Sequence, residues 1–169
     1  KELDFETFEY KDVEKPKIKA LEAAKDIEDM KKRIKFLMNF DDKAGEFYRA
    51  SFYDLFKYCS HRIPEISDEL YRIDQAVCAG FGWELGPFET WDILGVKETV
   101  EKMEAAGEKA ADWIHEMLKA GNESFYKVEN GKKLYYDIPS KSYVEIPGIE
   151  DFILLDTLKA SGKKLWGNA

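Results

Sequence analysis

The chain has 169 residues, 44% of them hydrophobic and 36% charged, and a formal net charge of −8. That length suits one domain with ordered extensions and a real core, and the balance is that of a globular chain rather than a disordered or membrane one. The acidic excess excludes a nucleic-acid partner, since phosphate binding needs a concentrated surplus of Lys and Arg, and no apolar run nears the ~20 residues that span a bilayer. Any anionic ligand would need a local basic patch. The two cysteines, Cys59 and Cys78, lie in helical patterns and read as small core side chains in a reducing compartment, which implies a cytoplasmic protein. The sequence begins at Lys1 without a Met and ends at Gly167-Asn168-Ala169, which suits a piece of a longer polypeptide.

In chain order, residues 1–16 mix Phe5, Phe8 and Tyr10 with acids up to Pro16 and read as an extended connector. From Lys17 to Phe40 the residues Ile18, Leu21, Ala24, Ile27, Met30, Ile34, Leu37 and Met38 recur at three- and four-residue steps, which predicts one long amphipathic helix. Asp41 or Asp42 can cap a second helix that carries Phe47, Phe52, Leu55, Phe56, Cys59 and Ile63 and stops at Pro64. Ser67 opens a third helix through Leu70, Ile73 and Val77, with Gly80 as its left-handed C-cap. Pro87 starts a short fourth helix closed by Gly95, and two further helices follow over 97–106 and 108–120. Beyond Gly121 the period changes. Asn130-Gly131 lies between Phe125–Val128 and Lys133–Tyr136, the signature of a tight hairpin, and Tyr143–Ile146 supplies a third strand. The tail carries Phe152–Leu155 and Lys163–Trp166, apolar enough to need a partner surface. The organisation expected is a connector over 1–16, a helical domain over 17–121, a β meander over 122–147 packed on it, and a C-terminal linker over 148–169.

Candidate chemistry is sparse. Gly80, Gly82 and Gly86 invite a dinucleotide-loop reading, but the third glycine comes one position late and the run follows a helix. A nucleotide loop needs strand, turn and helix, so that helix N–H groups meet the pyrophosphate. These glycines therefore read as backbone punctuation. His61 and His115 belong to no ligand pair, and Cys59 and His61, two residues apart on a helix, point to different faces. Glu84 and Glu89 flank the Gly-Pro turn, where Glu89 in the first helical turn suits the helix dipole better than a catalytic carboxylate pair. Trp83, Phe88 and Trp91 form an aromatic cluster, and an interface is expected for at least one of them. No catalytic, cofactor-binding or metal-ligating residue is assigned.

The run Ile73-Asp74-Gln75-Ala76-Val77-Cys78-Ala79-Gly80-Phe81-Gly82, leading into Leu85-Gly86-Pro87-Phe88-Glu89 and on to Asp92 and Gly95, resembles the C-terminal helical domain of 3-hydroxyacyl-CoA dehydrogenases. Asp41-Asp42-Lys43-Ala44-Gly45 and Arg62-Ile63-Pro64-Glu65-Ile66 resemble the second helical repeat of fused forms, in which a dehydrogenase and an enoyl-CoA hydratase share one polypeptide. Lys17–Met38 looks like the helix entering that repeat, Ser124–Lys127 and the hairpin like the stretch after it, and Leu158–Ala169 like the connector before the hydratase. The resemblance is densest from Asp42 to Glu104. It implies a mainly α fold, a helical bundle of the 6-phosphogluconate dehydrogenase C-terminal type with a small antiparallel β meander near its C-terminus.

In that family the NAD cofactor and the catalytic His–Glu dyad belong to an upstream Rossmann domain, so neither is carried onto these residues. The family's first repeat opens on a Val-Asn-Arg-like segment near the active site. Here the corresponding Asn39-Phe40-Asp41-Asp42-Lys43 does not match it, which argues against direct substrate contact. The resemblance implies a non-catalytic domain of a fatty-acid β-oxidation enzyme that packs against the upstream Rossmann and first helical domains and a downstream hydratase domain, and helps to shape an acyl-CoA cleft. Two rivals stand beside it: a helical module that self-associates through Trp83, Phe88 and Trp91, and a small acid–base or thiol enzyme built on Glu84, Glu89, His61 or Cys59.

Overall fold

The computed structural model describes residues 1–13 and 17–148, which fall into two compact units, 1–49 and 50 onward. Pro16, the expected linker beyond Gly148 and the apolar runs at 152–155 and 163–166 lie outside the described residues. The architecture is mainly α with a small antiparallel three-stranded sheet.

In the first unit, the N-terminal segment is not simply extended. Strands β1 (Glu2–Leu3) and β2 (Tyr10–Lys11) pair antiparallel. Asp4 turns the chain between them by accepting the N–H groups of Glu6 at 2.9 Å and Thr7 at 3.1 Å. The single helix expected over 17–40 is two helices, α1 (Lys19–Ala24) and α2 (Met30–Asn39). The apolar period continues through the break, but Asp29 takes the N-cap of α2, its side chain accepting Lys32 N–H at 2.9 Å. An Asp side chain bonded to the local backbone competes with continuous helix. Arg33 stitches the break, donating from Nε to the Ile27 carbonyl at 2.8 Å.

Asp42 then joins two helix starts. One carboxylate oxygen accepts Ala44 and Gly45 N–H at 3.0 and 3.1 Å, opening α3 (Lys43–His61), while the other accepts Ala20 N–H at 3.0 Å in α1. These bonds, with that of Ala20 foremost, hold its carboxyl below the usual range. Ala20, Ala24, Leu37 and Ala44 form the small core of this unit.

The boundary between the units falls within α3. In the second unit α3 continues to His61, followed by α4 (Leu70–Phe81), α5 (Pro87–Leu94), α6 (Val96–Ala105) and α7 (Asp112–Lys119). The left-handed C-cap of α4 is Gly82, at φ 67°, rather than Gly80, which stays inside the helix. Gly95, at φ 90°, ends α5 and passes the chain directly into α6, a geometry that a side chain would strain.

The expected hairpin forms with Asn130 and Gly131 both at positive φ, 52° and 77°, joining β3 (Tyr126–Glu129) to β4 (Lys132–Asp137). The third strand, β5 (Ser142–Glu145), pairs with β4 so that Tyr135 faces Val144 in register.

The core of this unit is aromatic. Phe56 of α3 stacks on Trp91 of α5 with centroids 4.7 Å apart, and the Phe125 ring meets Trp91, Phe88 and Trp113 edge-on at 5.3, 5.0 and 5.8 Å. Phe88 and Trp91 are 0% exposed. As interface candidates Phe88 and Trp91 are corrected to core, since both face inward on the buried side of α5, and the expectation of an interface for at least one of the three rings rests on Trp83. Trp83 remains 43% exposed.

Truncating Trp91 to alanine is expected to lower stability by about 3–5 kcal/mol, the usual cost of emptying a buried aromatic site. Urea unfolding measures the loss, and light scattering of the folded protein should give an unchanged mass. A variant of undiminished stability that associates more weakly would restore the interface role.

Candidate functional site

The second unit turns on a cluster of acids. Gly86 is the N-cap of α5 and has no side chain with which to satisfy the first amide groups of the helix. Asp74, 3% exposed and projecting from α4, does so from across the fold. Its Oδ1 accepts Phe88 N–H at 2.9 Å and its Oδ2 accepts Glu89 N–H at 3.0 Å. The Tyr126 hydroxyl of β3 donates to the same Oδ2 at 2.8 Å. The fit leaves no room at position 86, where a Cβ would stand 2.3 Å from the Cβ of Asp74 and 2.5 Å from its Cα.

The two acids of α5 itself are engaged as well. Glu89 accepts Gly86 N–H at 3.1 Å and forms an ion pair with Lys133 of β4. Lys133 Nζ also stands 4.5 Å from the centroid of the Tyr126 ring. Asp92, one turn further on, accepts Phe125 N–H at 2.7 Å and Tyr126 N–H at 2.8 Å, fixing the entry of β3.

Burial dominates the electrostatics. It pushes the carboxyl of Asp74 up to about 7, against the downward pull of Phe88 N–H and the Tyr126 hydroxyl, with the Glu89 charge adding to the rise. Burial likewise raises Asp92 to about 7, opposed by Phe125 and Tyr126 N–H. Burial first, then the neighbouring Asp74 charge, pushes the Tyr126 hydroxyl up, so it stays protonated and donates. Two acids near neutrality would suit proton transfer. Here, however, the oxygens of both already accept from the protein, and Asp74 is closed off from solvent. The arrangement is built to hold α4, α5 and the sheet together.

The residues singled out in the sequence are scattered. Gly86, Pro87, Phe88, Glu89 and Asp92 meet at this cluster, whereas Gly80 and Gly82 belong to the exposed end of α4. The glycine run does not fit a dinucleotide: Gly80 is helical, Gly82 ends a helix instead of opening one, and Gly86 is packed against Asp74. Cys59 is buried, and burial, with the Asp74 charge, pushes its thiol up to about 12, far from a nucleophilic thiolate. His61 lies 3.1 Å from the Lys109 carbonyl, His115 Nε2 is 3.4 Å from a Glu104 oxygen, and Glu84 is exposed. Among the described residues no group of His, Cys, Asp or Glu is placed to hold a metal ion, and no helix is long and apolar enough to cross a membrane.

Sequence reasoning assigned no role to Asp74 or Tyr126. The available signal was an Asp on the apolar face of a helix, four residues beyond Leu70 and three before Val77. A buried acid of this kind needs donors, and the next helix begins with a glycine that cannot cap itself.

A second feature is an apolar groove of about 510 Å³ between α3 and α4, with Leu55, Cys59, Ile73 and Val77 among its walls. Arg62 also lines it; its Nε is buried without a hydrogen-bond partner among the described residues, while Nη1 pairs with Glu65 at 2.6 Å. The exposed residues Tyr58, Ile66 and Phe81 edge the groove, and the Phe81 ring lies 6.4 Å from that of Trp83.

Comparison with known proteins gives two relatives. Over 136 residues, 80% of this chain, it is 46% identical to a Bacillus subtilis (strain 168) protein named "Probable 3-hydroxyacyl-CoA dehydrogenase", of which it spans 17%. Over 98 residues, 57% of the chain, it is 28% identical to a Rickettsia felis protein named "Putative fatty acid oxidation complex trifunctional enzyme", of which it spans 13%. The chain thus spans less than a fifth of either relative. No protein-family model and no solved structure matches it.

Two outcomes are expected from the cluster. Gly86→Ala must displace Asp74 or α5 and should cost at least the about 1–3 kcal/mol typical of an overfilled site, measured by urea unfolding. Asp74 and Asp92 bind protons more tightly folded than unfolded, at about 7 against an ordinary 3.8. Their contribution to stability is therefore complete below that ordinary value and is lost as pH rises through about 7. Asp74→Asn, although less stable near neutrality, should lose stability less steeply than the unsubstituted protein between pH 5 and 8, by up to about 1.4 kcal/mol per pH unit. Parallel curves for the two proteins would contradict this assignment.

Proposed function

We propose that this chain, which belongs by its sequence to the 3-hydroxyacyl-CoA dehydrogenase family, is a non-catalytic helical domain of a larger fatty-acid β-oxidation enzyme. In that reading residues 17–121 are the helical domain carrying the meander at 122–147, with a connector before it and a linker after it. The parent oxidises a 3-hydroxyacyl-CoA to the 3-ketoacyl-CoA with NAD held by an upstream Rossmann domain. A further helical domain and a downstream enoyl-CoA hydratase domain complete the polypeptide, which is cytoplasmic. This segment supports the packing between them and the shape of the acyl-CoA cleft.

The observation that carries the reading is the 46% identity across 80% of the chain. The chemistry of the segment agrees with it: the oxygens of Asp74, Glu89 and Asp92 are taken up by backbone amides, the Tyr126 hydroxyl and Lys133, and the glycine run does not fit a pyrophosphate. A second reading, a helical module that self-associates, draws on the exposed pair Phe81 and Trp83. A small acid–base or thiol enzyme has less support, because Cys59, His61, Glu84 and Glu89 occupy separate settings.

Calorimetric titration of the purified chain with NADH and with acetoacetyl-CoA, beside an NADH-oxidation assay, tests the reading. The expected result is no turnover and no NADH binding. Saturable NADH binding with turnover would overturn it.

A further inference from the structure

Among the described residues nothing occupies the groove between α3 and α4. Its walls are two helices and the turn that joins them, so their backbone N–H and C=O groups are already bonded within the helices and cannot extend a sheet. A strand would gain nothing there. A third helix would gain apolar contact along both walls, at the spacing of packed helices. The groove is open and edged by Tyr58 at 58% exposed, Ile66 at 66% and Phe81 at 76%, a contiguous apolar surface of the kind that marks a protein contact.

Two further observations identify the partner. Among the described residues Arg62 Nε is buried at the groove without an acceptor, its Nη1 alone being paired with Glu65, whereas the rim's other cation, Arg72, is already held by Glu69 at 2.5 Å. A carboxylate on the occupant would complement the guanidinium of Arg62. The chain also spans only 17% of its Bacillus subtilis relative, so most of a polypeptide of that size lies outside it.

We propose that the groove seats an amphipathic helix from the rest of the parent polypeptide, with apolar residues at i, i+3/i+4 and i+7 against Ile66, Ile73, Val77 and Phe81 and an acidic residue reaching Arg62. This rests on the reading of the chain as a segment of a larger enzyme, and it names the surface through which that segment docks.

The test uses the full polypeptide carrying this chain. Ile66→Cys is introduced into it and into the isolated chain, and the rate of maleimide labelling is compared, with Glu84→Cys, away from the groove lining, as reference. The seated helix should slow labelling at position 66 at least tenfold in the full polypeptide and leave position 84 within a factor of two. Ala76→Arg, an exposed change on the groove wall, should restore fast labelling at 66 while circular dichroism stays unchanged. Equal rates at 66 in both proteins would overturn the proposal even if the full polypeptide oxidises 3-hydroxyacyl-CoA, which would leave the family reading intact. Labelling slowed equally in both proteins and relieved by dilution would place a second copy of the chain in the groove and also overturn it. Protection in the isolated chain on adding dodecanoate, with none from the full polypeptide, would make the groove a site for a small amphiphile instead.

Discussion

A helix that begins on glycine leaves its first amide groups to whatever lies nearby, and in the second unit that is the carboxyl group of Asp74. Through it α4 caps α5, and through Tyr126 the same oxygen reaches the sheet. Asp92 repeats the device one turn later, holding the two amides at the start of β3. Unpaired polar groups in the interior are costly, so each of these contacts is tightly specified. The aromatic stack of Phe56, Trp91, Phe125 and Phe88 supplies the bulk of the packing around this frame, and the frame decides which ring faces which.

The same frame explains why a region rich in acids need not be an active site. Burial pushes Asp74 and Asp92 toward neutral pKa values, a property common in catalysis. Catalysis also needs a free lone pair and a path for substrate. Asp74 is almost wholly enclosed, and three donors already hold its two oxygens in place. Cys59, buried nearby and influenced by the Asp74 charge, is an inert thiol for the same reason. The functional weight of the second unit then falls on its surface, where the groove beside Arg62 and the pair Phe81 and Trp83 leave apolar area exposed.

The first unit uses a smaller version of the same economy. Asp42 caps α1 and α3 with one carboxylate, and Gly45 is required where the Phe40 carbonyl would stand 1.9 Å from an added Cβ. In both units an acid between helices replaces what a longer apolar interface would otherwise supply.

Helix identity, the Asn130-Gly131 hairpin, the Pro87 start and the family resemblance are all determined by the sequence, because each depends on local periodicity or on one residue's own φ preference. The sequence also carried the correct expectation that Glu89 serves the first turn of its helix. Other features needed the tertiary structure. The stripe over 17–40 reads as one helix by period alone, and Asp29 breaks it through a local capping bond that competes with helix. Gly80 and Gly82 both offer a left-handed stop, and the helix continues to the second. Phe88 and Trp91 have the composition of an interface, and only the position of Phe125 and Phe56 makes them core. The role of Asp74 depends on Gly86 and Tyr126, 12 and 52 residues away in the sequence. A buried carboxylate's partners are chosen by how helices pack, and no local pattern in the chain encodes that choice.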